Sequence, residues 1–206
     1  MIDSAFLITA FVSLFVVIDP IGLMPLFIAL TQDNTAHERR TIAIRACLTS
    51  VFLLVLFTAL GEAVLGFVGI SMAAFRVAGG VLLFLTALDM LFERRTKRRE
   101  DRTEEEDFPD PSIFPLAIPL IAGPGSIATV ILLAGQKPGI EGLAAVIAIM
   151  FSVVAIVFGF FMLAGPIERI LGKTGTVVVT RLLGMLLAAL SVQFILDGLR
   201  DFGFAA

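Results

Sequence analysis

The sequence is poor in the residues from which most catalytic and metal centres are built. It has one cysteine, Cys47, and one histidine, His37. A lone thiol excludes an internal disulfide and offers no thiolate cluster to a metal. His37 falls in a polar link and reads as a surface residue. G-x-S-x-G and H-E-x-x-H are both missing and Ser126 has no evident base, so the chain is not expected to be an enzyme. Charge is scarce too. Only 16% of the 206 residues are charged, against roughly 25% in soluble domains. So little polar material cannot coat a globule, and the net charge of −3 says less than its sidedness. No feature points to a nucleic acid, a resident metal or a cofactor.

What the chain has is apolar sequence in long runs. Hydrophobic residues make up 58% of it, and residues 111–136 and 142–167 carry no charge at all. About 20 apolar residues span a hydrocarbon core of roughly 30 Å. The opening Met-Ile-Asp-Ser lacks a basic n-region, which argues against a cleaved secretory signal. The runs predict one transmembrane domain over residues 1–206, with helical spans at 6–30, 41–67, 71–92, 112–135, 142–167 and 176–199. Residues 93–111, dense in both signs of charge, read as a solvated loop. It divides a first three-helix unit, 1–92, from a second, 112–206.

Basic residues set the orientation. Arg39, Arg40, Arg45, Arg94, Arg95, Lys97, Arg98, Arg99, Arg102, Arg169, Lys173 and Arg181 lie on one side, leaving only Arg76, Lys137 and Arg200 on the other. The positive-inside rule puts the larger set in the cytoplasm and both termini outside.

The two units also resemble each other at an offset of about 105 residues. Arg76 and Gly79 align with Arg181 and Gly184, Thr86 with Ser191, Pro20 with Pro124, and Gln32 with Gln136. Three spans per unit is an odd number, so the second copy enters the bilayer from the opposite face. Two inverted repeats of this kind are a common plan among secondary transporters.

The first and fourth spans each carry a helix breaker at mid-membrane. The first holds Asp19, Pro20, Ile21 and Gly22, and the fourth holds Gly123, Pro124, Gly125 and Ser126. Proline removes a donor and clashes with the carbonyl four residues back. Asp19 is a good N-cap with Pro20 at the first helical position, and Gly123 with Pro124 repeats the arrangement. Two half-helix N-termini facing one cavity would present N–H groups and partial positive charge to a carboxylate. A charge such as Asp19 at mid-span costs roughly 2.5–3.5 kcal/mol. Capping returns about 0.5–2 kcal/mol, which leaves room for a substrate ammonium, a coupling cation or a proton. Arg76 and Arg181 are candidates for pairing, a hinge or snorkelling. Thr86, Ser191 and Gln193 could line the cavity or bond between helices. Glu62, Asp89 and Asp197 sit near span ends and read as interfacial.

Asp19-Pro-Ile-Gly22, Ala122-Gly-Pro-Gly-Ser126 and the run Arg181-Leu-Leu-Gly-Met-Leu-Leu together resemble the MarC family over essentially the whole chain. The resemblance implies a bacterial inner-membrane protein grouped with carriers of small neutral amino acids such as glycine and alanine. It implies a substrate site at the two breaks. With Asp19 as a natural proton carrier, a proton or a sodium ion is the expected coupling ion, and the sequence does not distinguish the two. An exporter of another small metabolite, or a scaffold that transports nothing, are the competing expectations.

Overall fold

The computed structural model describes residues 3–32, 34–92 and 110–204, so nearly all of the expected 93–111 loop lies outside the described residues. Those described are helical, with no strand among them. Eight segments follow in order: α1 (Ser4–Ile18), α2 (Pro20–Leu30), α3 (Ala36–Val68), α4 (Met72–Leu91), α5 (Ser112–Ile121), α6 (Pro124–Gln136), α7 (Ile140–Met162) and α8 (Ala164–Asp201). By length and hydropathy α1 with α2, α3, α4, α7 and the part of α8 from Thr174 can each cross a membrane. α5 and α6 make a sixth crossing if taken together, bent by 51° at their junction.

Element ends depart from the sequence reading for local reasons. α3 begins at Ala36, earlier than residue 41, because Thr35 and Glu38 form a capping box on its first turn. The expected link at 168–175 is part of α8, interrupted at Gly172 (φ 61°, ψ 174°). α5 is irregular: Phe114 and Ile118, which precede Pro115 and Pro119, are both extended. A residue before proline is pushed out of the helical region by the ring.

α3 shows how the chain distributes its side chains. Leu48, Phe52, Leu56, Leu60, Val64 and Val68 form an exposed stripe at four-residue spacing. The buried stripe is made largely of small residues, among them Ala43, Ala46, Ser50, Thr58 and Gly61. Large apolar groups outside and small ones inside suit a helix that faces lipid and packs closely on its neighbours. The hydroxyls of Ser50 and Thr58 donate to the carbonyls of Ala46 and Leu54, so no polar group faces the core unsatisfied there. In the first span 56% of the most apolar stretch is buried, against 17% for α3. The first span is therefore the centre of the bundle.

Packing runs between the two units more than within them. α1 and α2 lie against α7 and α8, while α5 and α6 lie against α3, and α6 also against α4. Phe27 of α2 stacks on Phe161 of α7 with centroids 4.3 Å apart. The most extensive pairing is α4 with α8, which run antiparallel. Gly198 meets Ala73 and Val77, Gly80 meets Ser191 and Ile195, and Gly184 meets Ala87 and Met90. At Gly80 an added methyl carbon would stand 2.8 Å from the Ser191 carbonyl oxygen.

Ion pairs tie the ends of the bundle. Lys137, after α6, reaches Asp3 at 3.3 Å, and Arg76 of α4 pairs with Asp201 of α8. Arg45 of α3 reaches Asp110 at 3.3 Å. Hydrogen bonds from the Ser112 hydroxyl and N–H, with Arg45 alongside, hold the Asp110 carboxyl below the usual carboxylate range. The Phe6 N–H and Lys137 do the same for Asp3.

Candidate solute-binding site

The first helix stops at Ile18 and restarts at Pro20, with Asp19 alone between them in the left-handed region (φ 57°, ψ 64°). Aspartate tolerates that conformation better than most residues. Its carboxylate turns onto the new helix end, where Oδ1 accepts the Gly22 N–H at 3.0 Å. Asp19 is 1% exposed. Gly22 makes this possible, because a methyl carbon there would lie 2.1 Å from Asp19 Oδ2. Pro20 fills the first helical position, where its missing N–H costs nothing.

At the second break Gly123 is the N-cap and Pro124 opens α6. The Ser126 oxygen accepts the Gly123 N–H at 3.0 Å, and its hydroxyl lies 2.6 Å from the Ile121 carbonyl as a donor. Ser126 thus staples the break together instead of standing as a free nucleophile. Gly123 is dictated by the tight turn, since an added carbon would meet the Pro119 carbonyl oxygen at 2.2 Å. Gly125 lets α6 approach α1 and α4. A carbon there would be 3.1 Å from Val17 Cγ1 and 3.8 Å from Thr86 Oγ1.

The breaks are therefore neighbours, and beside the second lies a cavity of about 440 Å³. Val17 of α1, Thr86 and Asp89 of α4, Pro119 of α5 and Gly123, Pro124, Gly125 and Ser126 are in its wall. The first N–H groups of a helix have no intrahelical acceptor, so Gly125 and Ser126 bring the positive end of α6 to this space. Ordinary small-molecule sites occupy roughly 300–1,000 Å³.

Of the residues expected at the site, Gly123, Pro124, Gly125, Ser126 and Thr86 line the cavity. Asp19, Pro20, Ile21 and Gly22 form the adjoining break and stay out of its wall. Ser191 is buried, its hydroxyl donating to the Ala188 carbonyl at 2.7 Å. Gln193 donates to Asp197 at 2.8 Å on an exposed face of α8. Arg181 is exposed on the same helix. Arg76 takes the pairing role, through Asp201. Asp89 is the cavity residue that the sequence reading assigned to the interface. The approach of α5 and α6 is what brings Asp89 into that wall.

A family model described as "MarC family integral membrane protein" matches residues 4–202. The UPF0056 membrane protein YvbG of Bacillus subtilis is 39% identical over 200 residues, covering 95% of each chain. A UPF0056 membrane protein of Aquifex aeolicus is 38% identical, covering 94% of this chain and 92% of its own. UPF0056 membrane protein YhcE of Escherichia coli is 32% identical, covering 92% and 90%. No solved structure matches significantly. With the model spanning nearly every residue and the relatives aligned end to end, the chain belongs to the MarC family of integral membrane proteins.

Proposed function

We propose that this protein is a secondary transporter of small neutral amino acids, glycine- or alanine-like, working with two inverted three-helix repeats. The observation that carries the reading is the cavity at the broken fourth span, where Thr86, Asp89 and Ser126 share the wall with Val17, Leu82, Leu85, Leu88 and Leu120. Irregular backbone in a bilayer is tolerated where it is buried in protein or lines a water-filled space, and here the break borders a cavity. The α6 N-terminus is suited to a carboxylate. The exchange of partners between units supports inverted repeats, because a two-fold axis in the membrane plane pairs α4 with α8 and matches α1–α7 contacts with α3–α5 contacts. Rocking of one unit against the other would open the cavity to alternate sides, with a proton or sodium ion as coupling ion. In this reading the protein sits in the bacterial inner membrane with both termini on the periplasmic face. The Asp3–Lys137 pair fits that arrangement by placing the start of α1 and the end of α6 together.

Purified protein in proteoliposomes, given labelled glycine or alanine under an imposed proton or sodium gradient, tests this directly. Saturable uptake driven by one gradient is expected. Folded protein that takes up neither amino acid under either gradient overturns the reading. The cavity is larger than either amino acid requires, which favours export of a bulkier small metabolite as the second reading.

A further inference from the structure

We infer that the contact of α1 with α6 is the gate that shuts the cavity off from the Asp3–Lys137 end of the bundle, and that it parts during transport. The inference rests on the inverted-repeat transport reading and deepens it by naming the surface that moves.

The two helices run antiparallel. At one end Val17, in the cavity wall, lies against Gly125, where an added carbon would be 3.1 Å from Val17 Cγ1. At the other end Lys137 reaches Asp3 at 3.3 Å and stands over the Phe6 ring, 5.9 Å from its centroid. From Gly125 to Lys137 a helix rises roughly 18 Å, more than half of a hydrocarbon core of roughly 30 Å. Phe6, Ala10, Ser13 and Val17, spaced by three and four residues, share this face of α1 and are all buried. The contact is thus long enough to seal the half of the bilayer beyond the cavity.

Ser13 is the residue that a permanently closed contact does not explain. It is 1% exposed, and its hydroxyl has no hydrogen-bond partner among the described residues. The hydroxyls of Ser50, Thr58, Thr86 and Thr129 each donate to the carbonyl four residues back, the usual way for a helix to satisfy such a group. Ser13, one turn before Val17, falls at the level of Thr129, one turn after Gly125. A buried hydroxyl left unbonded is costly. In a contact that parts, it meets water.

The pairings around the two breaks are unequal in a way that locates the motion. With the two units equivalent, α1 corresponds to α5 and α2 to α6. α1 packs against α6 and against α8, whereas the equivalent pairings, α5 with α2 and α5 with α4, are marginal at most. Pro119 and Leu120 of α5 line the cavity instead. One unit is closed around its broken span and the other is open. Exchange of the two conditions, as inverted repeats allow, brings α5 onto α2 and α4 and draws α1 away from α6 and α8.

The test uses single cysteines in a Cys47→Ala background, in sealed membrane vesicles of both orientations, with a small impermeant cationic thiol reagent. Ser13→Cys and Thr129→Cys should react from the face carrying Asp3 and Lys137, and from that face alone. Thr86→Cys, in the cavity wall, should react from the opposite face. Lys137→Ala should speed labelling at Ser13→Cys by roughly 1.5- to 5-fold, the scale of an exposed ion pair, and leave Thr86→Cys nearly unchanged. Lys137→Arg should keep the original rates. Ser13→Cys and Thr129→Cys both inert from either face, with Lys137 or without it, overturn the gate. Labelling of either from the face that reaches Thr86→Cys overturns it too, as does equal acceleration at all three positions. Labelling needs no solute, so the two readings fail separately. Alanine uptake with an inert α1–α6 contact overturns the gate alone, and vesicles that label as expected but take up no amino acid overturn the amino-acid reading alone.

Discussion

At the residue scale, two glycines that composition counts alike differ in what they do. Gly22 leaves the space into which the Asp19 carboxylate folds, and Gly66 faces open surroundings with nothing within 4 Å. Gly22→Ala should therefore lower stability by about 1–3 kcal/mol, the usual cost of forcing extra volume into a packed site. Gly66→Ala should be neutral or raise stability by roughly 0.5–1 kcal/mol, since it removes a helix-interior glycine. Thermal melts in detergent, read by tryptophan-free methods such as light scattering or thiol exposure of Cys47, separate the two. Legibility at this scale followed steric necessity. Asp-Pro and Gly-Pro-Gly announce a break because their backbone chemistry is local. Asp89 is silent, because a charge near a span end looks the same whether it faces headgroups or a cavity. Its place in the cavity wall depends on α5 and α6, some 30 residues away in sequence, and on Gly125 letting α6 come close.

Among elements, the α4–α8 seam is the largest contact between the units and is built on backbone approach. Gly80→Ala places a carbon against a carbonyl that cannot swing aside, and a loss of about 1–3 kcal/mol in detergent melts is expected. The spans themselves were readable because a bilayer demands long apolar runs. The extension of α8 back to Ala164 was not, since the polar residues around Gly172 mimic a loop. A second effect belongs here. Asp110 links α5 to Arg45 of α3, with its folded-state pKa lowered. A lowered value means that its contribution is fully present above the ordinary carboxylate range and is lost as pH falls through the folded value. Both partners are well exposed, so the contribution is on the order of 0.2–1 kcal/mol. Wild type should lose that margin over Asp110→Asn when melts are repeated from neutral to strongly acidic pH.

For the whole molecule, orientation is the testable property. In a Cys47→Ala background, Lys137→Cys and Arg200→Cys should be labelled by an impermeant thiol reagent on spheroplasts. Arg40→Cys should be labelled only after permeabilisation, and the reverse pattern would invert the topology. Five long apolar spans, and a sixth if the bent α5–α6 pair is one crossing, were legible because apolar length follows from solvation. The swapped packing was not, because antiparallel and parallel repeats share one hydropathy profile. The α4–α8 seam also has a consequence for biosynthesis. Chain growth at roughly 5–20 residues per second leaves α4 in the membrane for on the order of 5–20 s before the glycines of α8 emerge. During that interval its close-packing face has no mate. Unfinished chains should therefore be recognised and degraded as orphans, and quality control would act on the last helix to arrive.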